Sequence, residues 1–242
     1  MILIVVGLAA VLTGTLSAVA GLGGGITLLA VLAQFFAPTT AIPIQGGIQL
    51  VSNVSRTSML RSDINWGAVW RTALPMVPFS FLGVAVATSV PESATRVALA
   101  LFLLAVTWRP QWFKWRGEGG LTLNAMYGVG AVSGFLNSTV GASGPFTSHF
   151  FRAVTATHVG FVATAAASQV FAHIAKLAAF GNAGFDFGEH IWVMVVGAVA
   201  TFIGTRIGGR LLHKANEDQL KHVFHIVLTA LAIRLLITAV LQ

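Results

Sequence analysis

The chain has 242 residues, 56% of them hydrophobic and only 9% charged, a composition that excludes a soluble domain of this size and points to an all-α polytopic membrane protein in the lipid bilayer. A formal charge of +7 would suit a nucleic-acid binder, but the cations are spread between apolar segments in the pattern that sets membrane topology, so nucleic acid is excluded as a partner. The lack of cysteine excludes disulfides and thiolate metal sites, and no metal is expected.

The first charged side chain is Arg56, and residues 1–55 form one uncharged, mostly apolar stretch. As a single helix this stretch would be roughly 80 Å long, against a hydrocarbon core of about 30 Å, so it must fold back inside the bilayer. Gly21-Leu22-Gly23-Gly24-Gly25 marks the break. A backbone break at membrane depth is tolerated only where protein or a polar cavity covers it. The run ending in Ala18-Val19-Ala20-Gly21 resembles a signal-peptide cleavage site, but no Lys or Arg precedes it and it has a counterpart in the second half of the chain, so it is read as part of the fold.

A shift of about 120 residues places Gly14-Thr-Leu-Ser-Ala-Val-Ala-Gly21-Leu-Gly23-Gly24-Gly25 on Gly134-Phe-Leu-Asn-Ser-Thr-Val-Gly141-Ala-Ser143-Gly144-Pro145. The order continues with Asp63-Ile-Asn-Trp66 near Gly184-Phe-Asp186-Phe187, Leu82-Gly83 on Ile203-Gly204, and Pro91-Glu92 near Asn216-Glu217. Two membrane repeats, 1–108 and 121–242, joined by a polar linker at 109–120, are therefore expected. Each reads as a broken or re-entrant segment followed by three transmembrane helices: 3–36, 41–60, 67–90 and 93–108, then 121–152, 155–180, 188–212 and 218–241, about eight hydrophobic segments in all. Pro38 and Pro43 punctuate the first turn, and Pro91 and Pro110 end or open helices.

If each broken segment enters and leaves on one side, Arg56, Arg61, Arg71, Arg109, Lys114, Arg116, Arg152, Arg206, Arg210, Lys214 and Lys221 share one face, leaving Arg96, Lys176 and Arg234 opposite. That asymmetry favours inverted repeats with the crowded face cytoplasmic; fully spanning broken segments would instead give parallel halves. The six tryptophans, Trp66, Trp70, Trp108, Trp112, Trp115 and Trp192, fall near predicted helix ends as an interfacial belt.

Inversion brings both breaks toward the midplane, where helix N-termini offer unpaired N–H groups and the positive end of the helix dipole to an anion. Gly23, Gly24, Gly25, Ser143 and Gly144 are the expected substrate contacts there; close helix packing is the competing role for the glycines. Gln45, Gln49, Ser52 and Asn53 form a polar stripe at helical spacing, matched by Thr164, Ser168, Gln169, His173 and Lys176. Of these Gln49, Asn53, Gln169, His173 and Lys176 are taken as substrate-binding, with interhelical bonding as the alternative for the amides and a snorkelling surface lysine as the alternative for Lys176. Arg56, His149, Arg152 and His158 are weaker candidates because they lie nearer the expected cytoplasmic surface, and Arg234 is read as an interfacial anchor.

In this order of motifs the chain resembles the TauE/SafE sulfite-exporter-like permeases: the two-fold repeat, the Gly21–Gly25 break, Ser52-Asn53-Val-Ser-Arg56, the Asp63-Ile-Asn-Trp66 turn, and the Gly83 and Gly204 helices. The resemblance covers nearly the whole chain. It implies a multi-pass protein of the bacterial inner membrane that carries small sulfur-containing anions such as sulfite, thiosulfate or organosulfonates by secondary transport and uses no organic cofactor; a homodimer is compatible with it. The chain departs from the family pattern in lacking a proline in Ile26-Thr-Leu-Leu-Ala-Val, and in having Gly-Ala-Ser-Gly-Pro as its second break. Two other functions compete with transport. Gly141-Ala142-Ser143-Gly144 matches the GxSG of rhomboid-type serine proteases, with His173 as partner of Ser143, and a passive anion channel would share every feature named.

Overall fold

The computed structural model describes residues 1–20, 23–113, 121–211 and 217–241. Gly21 and Leu22 of the first break, residues 114–120 of the linker, and 212–216 before the last helix lie outside them. Among the described residues there are ten α-helices and no strand: α1 (Ile2–Ala20), α2 (Gly24–Leu32), α3 (Pro38–Met59), α4 (Trp66–Ser89), α5 (Glu92–Trp108), α6 (Ala125–Thr139), α7 (Gly144–Ala153), α8 (His158–Asn182), α9 (Ile191–Leu211) and α10 (Glu217–Leu241). Four stretches, Ile2–Val19, Trp66–Ser89, His158–Asn182 and Ile191–Arg210, are long and apolar enough to cross a membrane.

Each predicted broken segment is a pair of helices, α1 with α2 and α6 with α7. α3 starts three residues before the predicted boundary because Pro38 suits the first helical turn, where a missing N–H costs nothing. Pro43 lies inside α3 rather than at a turn, and Pro75 and Pro78 lie inside α4. Neighbouring helices that satisfy the freed carbonyls make such prolines tolerable in a bundle. Asn65 caps α4 by accepting from Ala68 N at 3.2 Å, and Thr157 caps α8 by accepting from Gly160 N at 2.9 Å.

Two helix pairs form the closest contacts. α1 lies along α9, with Gly204 and Gly208 against the Val11 and Thr15 carbonyls; α6 lies along α4, with Gly130 and Gly134 against the Thr72 and Met76 carbonyls. Residue numbers rise together in both pairs, so each runs parallel. Small residues let these backbones approach where lipid supplies no hydrophobic drive for association. A hydrogen bond from Thr15 Oγ1 to Gly204 O at 3.1 Å adds to the α1–α9 contact, and one between the Ser52 and Thr205 hydroxyls at 2.8 Å ties α3 to α9. α3 and α8 cross in the centre, and α5 packs on α10. Trp66, Trp70, Trp108, Trp112 and Trp192 are all exposed, and Trp115 lies outside the described residues.

A Cβ at Gly130 would lie 2.1 Å from the Thr72 carbonyl, and one at Gly204 would lie 2.1 Å from that of Val11, whereas Gly128 has nothing within 4 Å. Gly130→Ala and Gly204→Ala should each cost about 1–3 kcal/mol or more, because packed backbone must move. Gly128→Ala should stay within about 0.5 kcal/mol of the parent. Apparent melting temperatures of the purified variants check this ordering.

Candidate functional site

The two breaks need backbone that side chains rarely adopt: Gly23, preceding α2, has φ 109°, and Gly141, between α6 and α7, has φ 75°. A Cβ on Gly141 would also meet Leu29 of α2 at 2.5 Å and Ile42 of α3 at 2.9 Å, so the second break is packed directly against the first half of the chain. Ser143 occupies the position that the 120-residue shift assigns to Gly23, yet its φ is −120°, so the two breaks do not share one backbone path. Ser143 does not cap α7. Its Oγ bonds Ser133 Oγ at 2.8 Å and accepts from Gln169 Nε2 at 3.3 Å.

Where the breaks meet, a cavity of about 40 Å³ is lined by Gly23, Gly25 and Ile26, by residues 141–145, and by side chains of four helices. α3 contributes Gln45, Gln49, Asn53 and Arg56; α8 contributes Gln169 and His173; α1 gives Ser17 and α6 gives Asn137. A water needs roughly 10–15 Å³ by this measure, so the space holds about three waters or one small oxyanion. Among the described residues no Asp or Glu lines it. Eight of the ten residues predicted from sequence are therefore brought together: Gly23, Gly25, Gln49, Asn53, Ser143, Gly144, Gln169 and His173.

Gly24 and Lys176 are not in the wall. A Cβ at Gly24 would lie 1.9 Å from the Thr13 carbonyl and 2.6 Å from Ser17 Cβ, so this glycine is there to let α2 pack on α1. Lys176 does not snorkel to a surface: it is fully buried, and its Nζ donates to Gln45 Oε1 at 2.9 Å and Asn137 Oδ1 at 3.3 Å. Arg56, placed near the surface by sequence, is 5% exposed and lines the cavity. Its Nη1 donates to the Ser17 carbonyl at 2.8 Å and its Nη2 to Asn53 Oδ1. Its spacing of three from Asn53 and seven from Gln49 already put it on the same helical face. Asn137 and Ser17 were missed, although the repeat register pairs them.

The weaker candidates lie elsewhere. The Arg152 guanidinium sits 4.1 Å over the Phe161 ring, the His158 ring nitrogen is 3.2 Å from the Val19 carbonyl, and neither they nor His149 line the cavity. Arg234 is exposed, as an interfacial anchor would be. The Ser143–His173 pairing that a serine protease requires is not formed, because the bonds of Ser143 go to Ser133 and Gln169.

Among the described residues, Gln49 Nε2, Asn137 Nδ2 and His173 Nδ1 face the cavity from side chains no more than 3% exposed and find no hydrogen-bond partner. Leaving such an atom unsatisfied costs about 1–3 kcal/mol. Two are amide donors, and with Arg56 and the first turns of α2 and α7 they suit a small anion. Gln49→Met should accordingly leave the melting temperature of the anion-free protein unchanged or raised, while reducing the stabilisation that a bound oxyanion gives. Thermal scans with and without the anion measure both quantities. Gly24→Ala should behave oppositely, losing stability and anion response together.

A family model described as Sulfite exporter TauE/SafE matches residues 6–235 of the chain. No curated protein and no solved structure matches it.

Proposed function

This chain belongs to the TauE/SafE sulfite exporter family, and on that premise we propose that it is a secondary transporter of small sulfur-containing anions such as sulfite, thiosulfate or short organosulfonates, working in the bacterial inner membrane. The observation that carries this reading is the cavity between the two breaks, where unpartnered amide donors and Arg56 converge without a carboxylate. Half-helix N-termini facing an anion near the midplane are a recurring transporter device, and the reading is supported by α2 and α7 being short helices of 9 and 10 residues whose first turns start at the cavity. Gly23, Gly25, Gln49, Asn53, Ser143, Gly144, Gln169 and His173 are the proposed contacts, with Arg56 and Asn137 added.

The proposed architecture is two inverted repeats, 1–108 and 121–242, with the linker 109–120 between them. The pairing of helices supports it, since exchanging the halves converts α1 on α9 into α6 on α4 and leaves α3 on α8 and α5 on α10 unchanged. Single cysteines in the 61–66 and 182–187 turns should then be labelled from opposite sides of the membrane by an impermeant reagent; labelling from one side contradicts inversion.

Function is tested on purified protein with a panel of oxyanions and divalent cations. An anion that binds only the folded state raises its melting temperature. Sulfite or a sulfonate should do so, and Arg56→Gln should weaken the effect on the order of 10–100-fold in affinity, as loss of a charge-assisted hydrogen bond of about 1.5–3 kcal/mol implies. A response to divalent cations alone would contradict the proposal. In proteoliposomes, accumulation against a gradient separates this transporter from a passive channel.

A further inference from the structure

The 120-residue register relates more than the breaks. It places Ser17 on Asn137, Gln49 on Gln169, Asn53 on His173 and Arg56 on Lys176, without a gap. The two buried cations of the bundle interior are thus equivalent residues of the two halves, each aimed at the equivalent position of the preceding broken helix: Arg56 donates to Ser17 O and Lys176 to Asn137 Oδ1. Their surroundings nonetheless differ. Arg56 lines the cavity and holds its own helix neighbour Asn53. Lys176 is withdrawn from it: no bond joins it to His173, whose Nδ1 stays unpartnered, and it reaches instead across to Gln45 on α3. Ser17, Gln49 and Asn53 and their equivalents Asn137, Gln169 and His173 all line the cavity, so the two half-sites differ in the cation alone.

We propose that Lys176 is the second anion contact of the transport cycle, held out of the cavity in this state by Gln45 and Asn137, and that Arg56 and Lys176 exchange roles when the protein changes the side to which its site opens. The inference rests on the anion-transport reading above. Its physical basis is the inverted architecture proposed above: halves related by a pseudo-two-fold axis rock against each other about a fixed site, and an asymmetric arrangement of two equivalent halves has a counterpart in which their roles are exchanged. The half holding Lys176 then takes the arrangement now seen around Arg56, and the anion meets Lys176. Neither cation has a carboxylate beside it in the cavity wall, so an anion supplies opposite charge to whichever of them lines the site. Gln45 has no counterpart of its own kind, because Ala165 stands at the equivalent position. The lysine latch is therefore specific to one state, which would make the two access states unequal in energy.

The test is the half-saturation concentration for sulfite at each membrane face, measured in proteoliposomes of uniform orientation. Arg56→Gln should raise it tenfold or more at one face and less than threefold at the other, and Lys176→Met should show the reverse preference. Both variants acting on the same face, or each acting equally on both, would overturn the proposal while leaving sulfite transport by the wild type intact. Gln45→Met tests the latch without replacing either cation: by removing the acceptor that holds Lys176 it should lower the half-saturation concentration at the face that Lys176→Met impairs, and an unchanged value contradicts the latch. Should the wild type move no sulfite, thiosulfate or sulfonate, the transport reading fails and this inference with it.

Discussion

A polypeptide that interrupts its helix within hydrocarbon must satisfy the freed backbone groups internally, since each unsatisfied group costs several kcal/mol and no water is at hand. The arrangement follows from that constraint. Among the described residues, Gly23 ahead of Gly24 and residues 141–145 around Gly144 line one cavity, and Gly141 is packed against Leu29 and Ile42 of the first half. The carbonyl of Ser17, near the end of α1, is met by Arg56. The first turns of α2 and α7 begin at the cavity, with Gly23, Gly25, Ser143 and Gly144 in its wall. What is left over after these bonds is a surplus of donors, and a surplus of donors selects for an anion.

The scaffold around the site depends on close backbone approach. Gly14, Gly204 and Gly208 bring α1 and α9 together, and Gly83, Gly130 and Gly134 do the same for α4 and α6. These pairs flank the crossing of α3 with α8, which carries the two polar stripes. Separating the glycines that pack from those that face the cavity is essential to any functional argument. Gly24 and Gly25 are neighbours in sequence, yet Gly24 is pressed on the Thr13 carbonyl while Gly25 faces Gln45 and Gln49.

Much of this was legible in the sequence because membrane burial writes strong signals. An uncharged stretch too long for one crossing required a fold-back, and glycine clusters located it; the helices observed begin and end within a few residues of those expected. The polar stripes at helical spacing yielded Gln49, Asn53, Gln169 and His173, since in an apolar bundle a row of polar side chains has few places to face other than the interior, and the two breaks yielded Gly23, Gly25, Ser143 and Gly144. What misled the reading was depth along the helix axis. Arg56 and Lys176 stand late in their helices, where a cation ordinarily reaches the interface, and only the tertiary packing that brings Ser17, Gln45 and Asn137 alongside keeps them inside. The packing duty of Gly24 was likewise invisible, because it depends on which helix lies against that side of α2.

The central claim is that a small oxyanion sits between the two breaks, held by amide donors and Arg56. An experimental structure determined with selenite, the heavier analogue of sulfite, tests it most directly, because anomalous scattering locates selenium without prior assumption. The account predicts one strong selenium peak in the cavity, with its oxygens within hydrogen-bond distance of the Gln49 and Asn137 amides. Selenium bound only at the protein surface, with the cavity holding water or closed by side chains, would contradict it.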